Sequence, residues 1–264
     1  MRGTILFCAA VLWAFNSAAE YGRVELADGK KLEGEIQLEK GKISITPTNA
    51  VEDEAAAVRV DLAILVLVQF QPASSVSAKT SPTNSVHAAT PAQPATPKLS
   101  AGVLLTGGSI IARRIASADD TSVRLLGSTN ETPLSTVNVA RLIFQPLPAE
   151  AEERITSGRA GVLLSSKEFV ESEFKGYSNG QIKMSSVLYG FKSYDPGQVL
   201  TVVLRASKPA LTRYQLKTRD QSLFLVDSLR IENGAILLQD SALAGFRIPA
   251  AEILELKRLS KPKD

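Results

Sequence analysis

Two pairs of carboxylates and one crowd of aromatic rings are the residues here whose types and spacing could do chemistry. Glu33/Glu35 and Glu171/Glu173 each stand two apart on a predicted strand, which puts both acids of a pair on one face. Two facing carboxylates are the minimum set for glycoside hydrolysis. Glu52, Asp53 and Glu54 are consecutive, without the alternating spacing of an EF-hand loop, and read as a charged surface loop. His87 is the only histidine and lies in a proline-rich stretch, so no imidazole on a folded element can serve as general base, triad member or metal ligand. The only cysteine is Cys8, so neither a Cys-His nucleophile nor a structural zinc site can be assembled. No phosphate-cradling glycine pattern occurs, and Gly107-Gly108 reads as a turn. The expectation is no catalytic set, no metal and no cofactor.

Phe169, Phe174, Tyr177, Tyr189, Phe191 and Tyr194 are half of the twelve aromatics that remain once Phe7, Trp13 and Phe15 are set aside. On a strand, Tyr189, Phe191 and Ser193 share one face, and Gly190, Lys192 and Tyr194 share the other. With Lys175 near, the set Tyr177, Tyr189, Phe191, Lys192 and Tyr194 forms a candidate binding face for a sugar ring or an extended peptide. The competing reading is that these rings fill a small core.

The elements that must position these residues repeat. Four segments align, Val24 to Phe70, Val103 to Phe144, Val162 to Leu204 and Tyr214 to Leu256. In each, a second-strand residue (Ile36, Ile115, Phe174, Leu229) precedes an alternating apolar pair: Ile43/Ile45, Val123/Leu125, Ile182/Met184 and Ile236/Leu238. Lys40-Gly41, Asp119-Asp120, Asn179-Gly180 and Asn233-Gly234 supply the turns between them. A tight turn then leads to a final apolar strand, from Asp61, Ser135, Asp195 and Pro249 respectively. The first copy carries extra residues around 49–57. The carboxylate pairs are not repeated, since the second copy has Ala112 and Arg114 there, so they read as solvated strand faces.

The reading is an all-β chain of four tandem, five-stranded antiparallel small barrels at 20–71, 99–147, 161–206 and 211–258. The competing architecture is one continuous β-sandwich with accidental internal similarity. Residues 72–98 are rich in Pro, Ala, Ser and Thr and read as a disordered linker, leaving the first copy loosely tethered. Residues 148–160 read as a connector with one or two helical turns opened by Pro148. Only 205–213 separates copies three and four, which are expected to form a fixed unit, and 259–264 is a basic tail.

The run Val-Glu-Leu-Ala-Asp-Gly from Val24, followed by Leu-Glu-Gly-Glu-Ile to Ile36, resembles the first two strands of the Sm-like (SH3-like) small β-barrel. The third copy, through Gly161-Val-Leu-Leu, Ser185-Ser-Val-Leu-Tyr-Gly-Phe and Val202-Val-Leu-Arg, is similar to a repeat of exported multi-copy bacterial proteins of unassigned function. Such repeats often precede a jelly-roll module of carbohydrate-binding type, and none is read here. Asp28 matches the early acid of RNA-binding Sm-like proteins. Residues 38–43 hold no counterpart of their Asn loop, and no Ile-Arg-Gly occurs. The Asp28-Gly29 turn is absent from the other copies, so it reads as a structural template rather than a binding site.

Arg2, the apolar run Ile5 to Phe15 and Ser17-Ala18-Ala19 have the three regions of an export signal over 1–19. The run is too short to span a bilayer, and Leu62 to Phe70 reads as a buried strand. Without Cys8 the remaining chain forms no disulfide, which favours a bacterial periplasmic or extracellular location. A formal net charge of +3, from 30 basic and 27 acidic residues, marks neither a nucleic-acid nor an anionic-membrane binder. These features together point to a non-catalytic, exported interaction or assembly scaffold of the bacterial envelope. Its partners would be envelope proteins or a cell-wall or extracellular glycan, with no nucleic acid, no membrane span after signal removal, and self-association open.

Overall fold

A computed structural model describes residues 20–48, 57–71, 101–127, 133–155, 158–209, 211–232, 234–243 and 245–259. The expected export signal, the linker 72–98, Glu52-Asp53-Glu54, His87, Asn233 and most of the basic tail lie outside them.

The first copy contributes β1 (Glu20–Leu26), β2 (Lys31–Glu39), β3 (Lys42–Pro47), β4 (Val58–Asp61) and β5 (Leu65–Phe70). The second has β6 (Gly102–Leu105), β7 (Ile110–Ile111), β8 (Ile115–Ala118), β9 (Ser122–Leu125), β10 (Leu134–Ser135) and β11 (Val139–Ile143). In the third are β12 (Gly161–Leu164), β13 (Phe169–Glu171), β14 (Glu173–Ser178), β15 (Gln181–Ser186), β16 (Gly190–Tyr194) and β17 (Val199–Val203). The fourth runs β18 (Tyr214–Thr218), β19 (Leu223–Val226), β20 (Leu229–Glu232), β21 (Ala235–Leu238), β22 (Arg247–Pro249) and β23 (Ile253–Arg258).

All four first hairpins close with the same hydrogen bond. The amides of Leu26, Leu105, Leu164 and Thr218 donate to the carbonyls of Lys30, Ser109, Glu168 and Ser222. The residue before each acceptor has positive φ, and Gly29 (84°) and Gly108 (92°) adopt it without strain. Lys167 (66°) and Gln221 (69°) fill the same position at a cost of roughly 1 kcal/mol each. The turn geometry thus recurs although the Asp-Gly dipeptide does not. In the turn between β8 and β9, hydrogen bonds from the hydroxyl and amide of Thr121 and the amide of Ser122 pull the Asp119 carboxyl down to about 2.

The second strand is the element that bends. In the first copy β2 is continuous, pairing with β1 through Lys31–Ile36 and with β3 through Gly34–Glu39. Gly34 stands at the changeover, where an added Cβ would lie 1.9 Å from the Thr46 carbonyl oxygen, so only glycine lets β3 approach. In the other copies the equivalent strand is broken into β7/β8, β13/β14 and β19/β20, whose halves enter different sheets. A 3₁₀ turn precedes the last strand in copies two to four, at Thr136–Asn138, Pro196–Gln198 and Ala250–Glu252. In the connector, Ala149–Glu152 makes a single helical turn with Pro148 at its N-cap, and Ala151 packs with Leu147, Leu163 and Leu200.

These antiparallel strands form a fourteen-, a six- and a three-stranded sheet, and none closes into a barrel. The reason lies at the last strands. A register shift occurs where each first strand meets its last, marking Leu65, Val139, Val199 and Ile253 as equivalent. Three residues further on, Leu142 pairs with Val202 and Leu256 pairs with Val68, so β11·β17 and β23·β5 join in the same register. All four of these side chains are buried. The hydrogen bonds are reciprocal: Phe144 N–H donates to Leu200 and Leu204 N–H to Ala140, at 3.0 and 2.9 Å. Likewise Gly41 N–H donates to Ile231 and Gly234 N–H to Leu38, both at 3.0 Å. Copies two and three also pair through β8·β14, at Ala118 and Tyr177. Each pair of copies therefore meets isologously, as two subunits of a symmetric dimer do.

The two pairs join through β7·β19, where Leu223 faces Ile110. Here the buried serines Ser109 and Ser222 accept from the Leu225 and Ala112 amides, each at 2.9 Å, again reciprocally. Arg113 bridges Asp220 (2.9 Å) and Glu252 (2.8 Å) across the same seam. Burial alone would raise the Asp220 carboxyl, but hydrogen bonds from Thr218, Arg113 and Ser222 outweigh it and hold the group below the usual carboxylate range. The order of copies across the large sheet is three, two, four, one.

This arrangement corrects two expectations. Among the described residues no ladder joins copies three and four, which share the large sheet through copy two, and the first copy is not loosely held, because β5 is stitched to β23. The outcome lies between tandem units and one continuous sandwich, because strand edges that barrel closure would have hidden are hidden by other copies. If a specific protease site is inserted between Thr80 and Thr90 and cut, the two fragments should still co-elute in size-exclusion chromatography, whereas separation would contradict the β5·β23 seam. Arg113→Ala leaves Asp220 and Glu252 without their shared cation and should lower stability by about 1–3 kcal/mol in urea unfolding.

Candidate functional site

The candidate binding face is divided by the fold. β15 and β16 form a hairpin in register from Ile182 opposite Tyr194 to Ser186 opposite Gly190. Directly paired residues share a face, so Lys192 and Tyr194 lie on the side of the buried Met184 and Ile182, and Phe191 and Ser193 lie on the other. Tyr194 is half-buried, and desolvation followed by the nearby Glu168 charge raises its hydroxyl pKa. Tyr177 sits on β14, half-buried at the joint with the second copy, its ring edge-on to Phe144 at 5.0 Å and 72°. Neither ring joins an exposed platform with Tyr189.

What remains outside is Tyr189, Phe191 and Lys192, with the Lys192 ammonium 4.6 Å from the centre of the Tyr189 ring. Sequence reading missed the two residues beside them. Val187 is fully exposed and Leu188 is 83% exposed, next to Tyr189 at 56% and Phe191 at 78%. An apolar Val-Leu pair following a strand pattern reads as core. The backbone decides otherwise: Gly190 takes φ 66° and closes a three-residue turn, while the Leu188 amide donates to Ser186 Oγ at 3.3 Å. The only local signal was Gly190 between two strands of matching polarity.

A groove of about 510 Å³ runs beside this hairpin, lined by Arg159, Glu171, Glu173, Ser186, Val187 and Leu188 among others. Its charges are paired, Arg159 with Glu171 at 2.8 Å, and Glu173 with Lys175 at 2.7 Å. Glu33, of the other carboxylate pair, is bound to Arg23 at 2.9 Å. Three of the four acids first considered for chemistry therefore engage a neighbouring cation. The groove borders β13, which has a ladder partner on one side only among the described residues. The Glu168 carbonyl and Ser172 amide bond towards β12, so by alternation the amides and carbonyls of Phe169 and Glu171 point away from it. In the second and fourth copies the equivalent edge is consumed by β7·β19.

Among the described residues no group of three or more His, Cys, Asp or Glu side chains could hold a metal ion, and no helix is long and apolar enough to cross a membrane. No family model matches the chain, and neither does any curated protein or solved structure. Gly190→Val should cost about 1 kcal/mol or more, because a β-branched residue resists positive φ. A fall in thermal midpoint with unchanged far-ultraviolet circular dichroism would show it; an unchanged midpoint would mean that the turn is not held in this form.

Proposed function

We propose that this protein is an exported, non-catalytic assembly scaffold of the bacterial envelope, built from four units derived from one Sm-like (SH3-like) strand plan. The observation that carries the reading is the free edge of β13. Every neighbouring pair of copies already meets by antiparallel pairing of equivalent strands. The third copy presents one such edge without a partner, beside an open groove. An extended segment of an envelope protein adds there as a further strand, with main-chain hydrogen bonds supplying affinity and the groove supplying side-chain selection. Glu168 stands where the paired copies carry Ser109 and Ser222, so the edge favours a partner strand bearing Lys or Arg over a like-charged second copy of β13.

The stacked pair Tyr189–Lys192 favours a second reading, glycan binding at the hairpin. The two are separated by placing a photo-crosslinking residue at Phe169, on the β13 edge, and at Ser193, on β16, in living cells. Scaffold action predicts a discrete protein adduct from position 169 and no retention of the purified chain on cell-wall polysaccharide. Retention that Tyr189→Ala abolishes, with no adduct at 169, would replace this reading with the glycan one.

A further inference from the structure

The hairpin tip borders the same groove as the β13 edge, with Val187 and Leu188 on one side and Glu171 on the other, but it carries a different chemistry. From Gln181 to Tyr194 the chain has no acidic residue and two lysines, Lys183 and Lys192, although 22% of all residues are charged. Neither lysine has an ion-pair partner among the described residues. The overall balance of charge hides this local excess. Ahead of the lysines stand Val187, Leu188 and Tyr189, followed by Phe191, the longest run of exposed large apolar side chains among the described residues. The turn leaves Val187 fully exposed and Leu188 83% exposed, although both also border the groove beside β13. Its conformation is set by Gly190 and Ser186 rather than by contacts of those side chains.

We propose that this tip inserts into the surface of an anionic phospholipid bilayer. Its order of chemistry along the hairpin matches the bilayer interface in depth: Leu188 at the apex flanked by Val187 and Tyr189, then Phe191 opposite Ser185, then Lys192 opposite Met184 and Lys183 opposite Ser193, one lysine on each face. Apolar side chains enter the headgroup and acyl boundary, the tyrosine sits at headgroup level, and the lysines meet phosphate. A short turn that needs no rearrangement loses little conformational freedom on insertion. Charge complementarity chooses lipid over the other occupants. A second copy would oppose Lys183 and Lys192 with their own like charges, and a neutral sugar leaves the aliphatic tip unused. The bilayer inference does not depend on what binds the β13 edge, although Val187 and Leu188 also border the groove beside it.

The test uses the chain from Glu20 onward, which contains every described strand and lacks both Trp13 and the apolar run 5–15. Flotation with vesicles of phosphatidylcholine alone and of phosphatidylcholine with phosphatidylglycerol should show binding to the anionic vesicles, weakened by salt. Leu188→Asp with Phe191→Ser should reduce the bound fraction by about tenfold or more, and Lys183→Glu with Lys192→Glu should remove the preference for anionic lipid. Leu188→Trp provides a local readout: its emission should shift to the blue on binding and be quenched by brominated acyl chains. Three results would overturn the proposal: no binding of the wild type to either vesicle, binding undiminished in the Leu188/Phe191 variant, or tip substitutions that abolish polysaccharide retention or self-association and leave vesicles untouched. Cross-linking at Phe169 is scored separately, so loss of lipid binding and loss of the scaffold reading are distinguishable.

Discussion

An edge strand with unpaired amides and carbonyls must be closed, covered or guarded, and the architecture here follows from how four sets of edges meet that demand. Each five-strand unit leaves its last strand with one side bare. Instead of curling back on its own fourth strand, that side takes the last strand of another unit, in the register set by Leu142·Val202 and Val68·Leu256. Because the partners are equivalent, main-chain bonds at the last-strand seams recur in reciprocal pairs, and the central residues Leu142, Val202, Val68 and Leu256 are buried and apolar on both sides. The two-copy halves of the large sheet and the burial of their seams descend from that choice, and β7·β19 joins the halves.

Side-chain identity decides where pairing stops. Ser109 and Ser222 are short, buried and oriented to accept a partner amide, and they stand at the seam made by the first halves of two second strands, β7 and β19. The same hairpin position holds Lys30 in the first copy and Glu168 in the third, and charges there are costly to bury without compensation. The outer copies therefore end the array as capping repeats do in solenoids, with polar edges outward. The β13 edge carries the Glu168 charge, while the tip of β15–β16 is exposed through its turn.

Local and global rules agree over most of the chain and part company in the third copy. There Lys167 accepts a left-handed conformation, Val187 and Leu188 stand in solvent, and β13 keeps one side free. Two of those departures, the exposed Val187-Leu188 pair and the one-sided β13, belong to an end unit of the large sheet, where among the described residues no neighbouring copy pairs with β13.

The alternating pairs Ile43/Ile45, Val123/Leu125, Ile182/Met184 and Ile236/Leu238, the tight turns before the last strands and the single helical turn after Pro148 were legible in the sequence, because side-chain period and turn chemistry are local. The all-β class followed from them. Barrel closure and the loose first copy did not survive, and copies three and four, expected to form a fixed unit, share the large sheet through copy two rather than by pairing with each other. Which strand edge meets which is settled by main-chain hydrogen bonds that every residue but proline can make, so it leaves almost no local trace in sequence. For the candidate site, the aromatic enrichment of the third copy was visible, but its division was not. The β14·β8 pairing turned Tyr177 into a joint, the register of β16 turned Tyr194 inward, and the positive φ of Gly190 put Val187 and Leu188 into water. The sequence alone determined which side chains alternate; only the tertiary structure decided which edges they carry together, because pairing is a property of two distant segments at once.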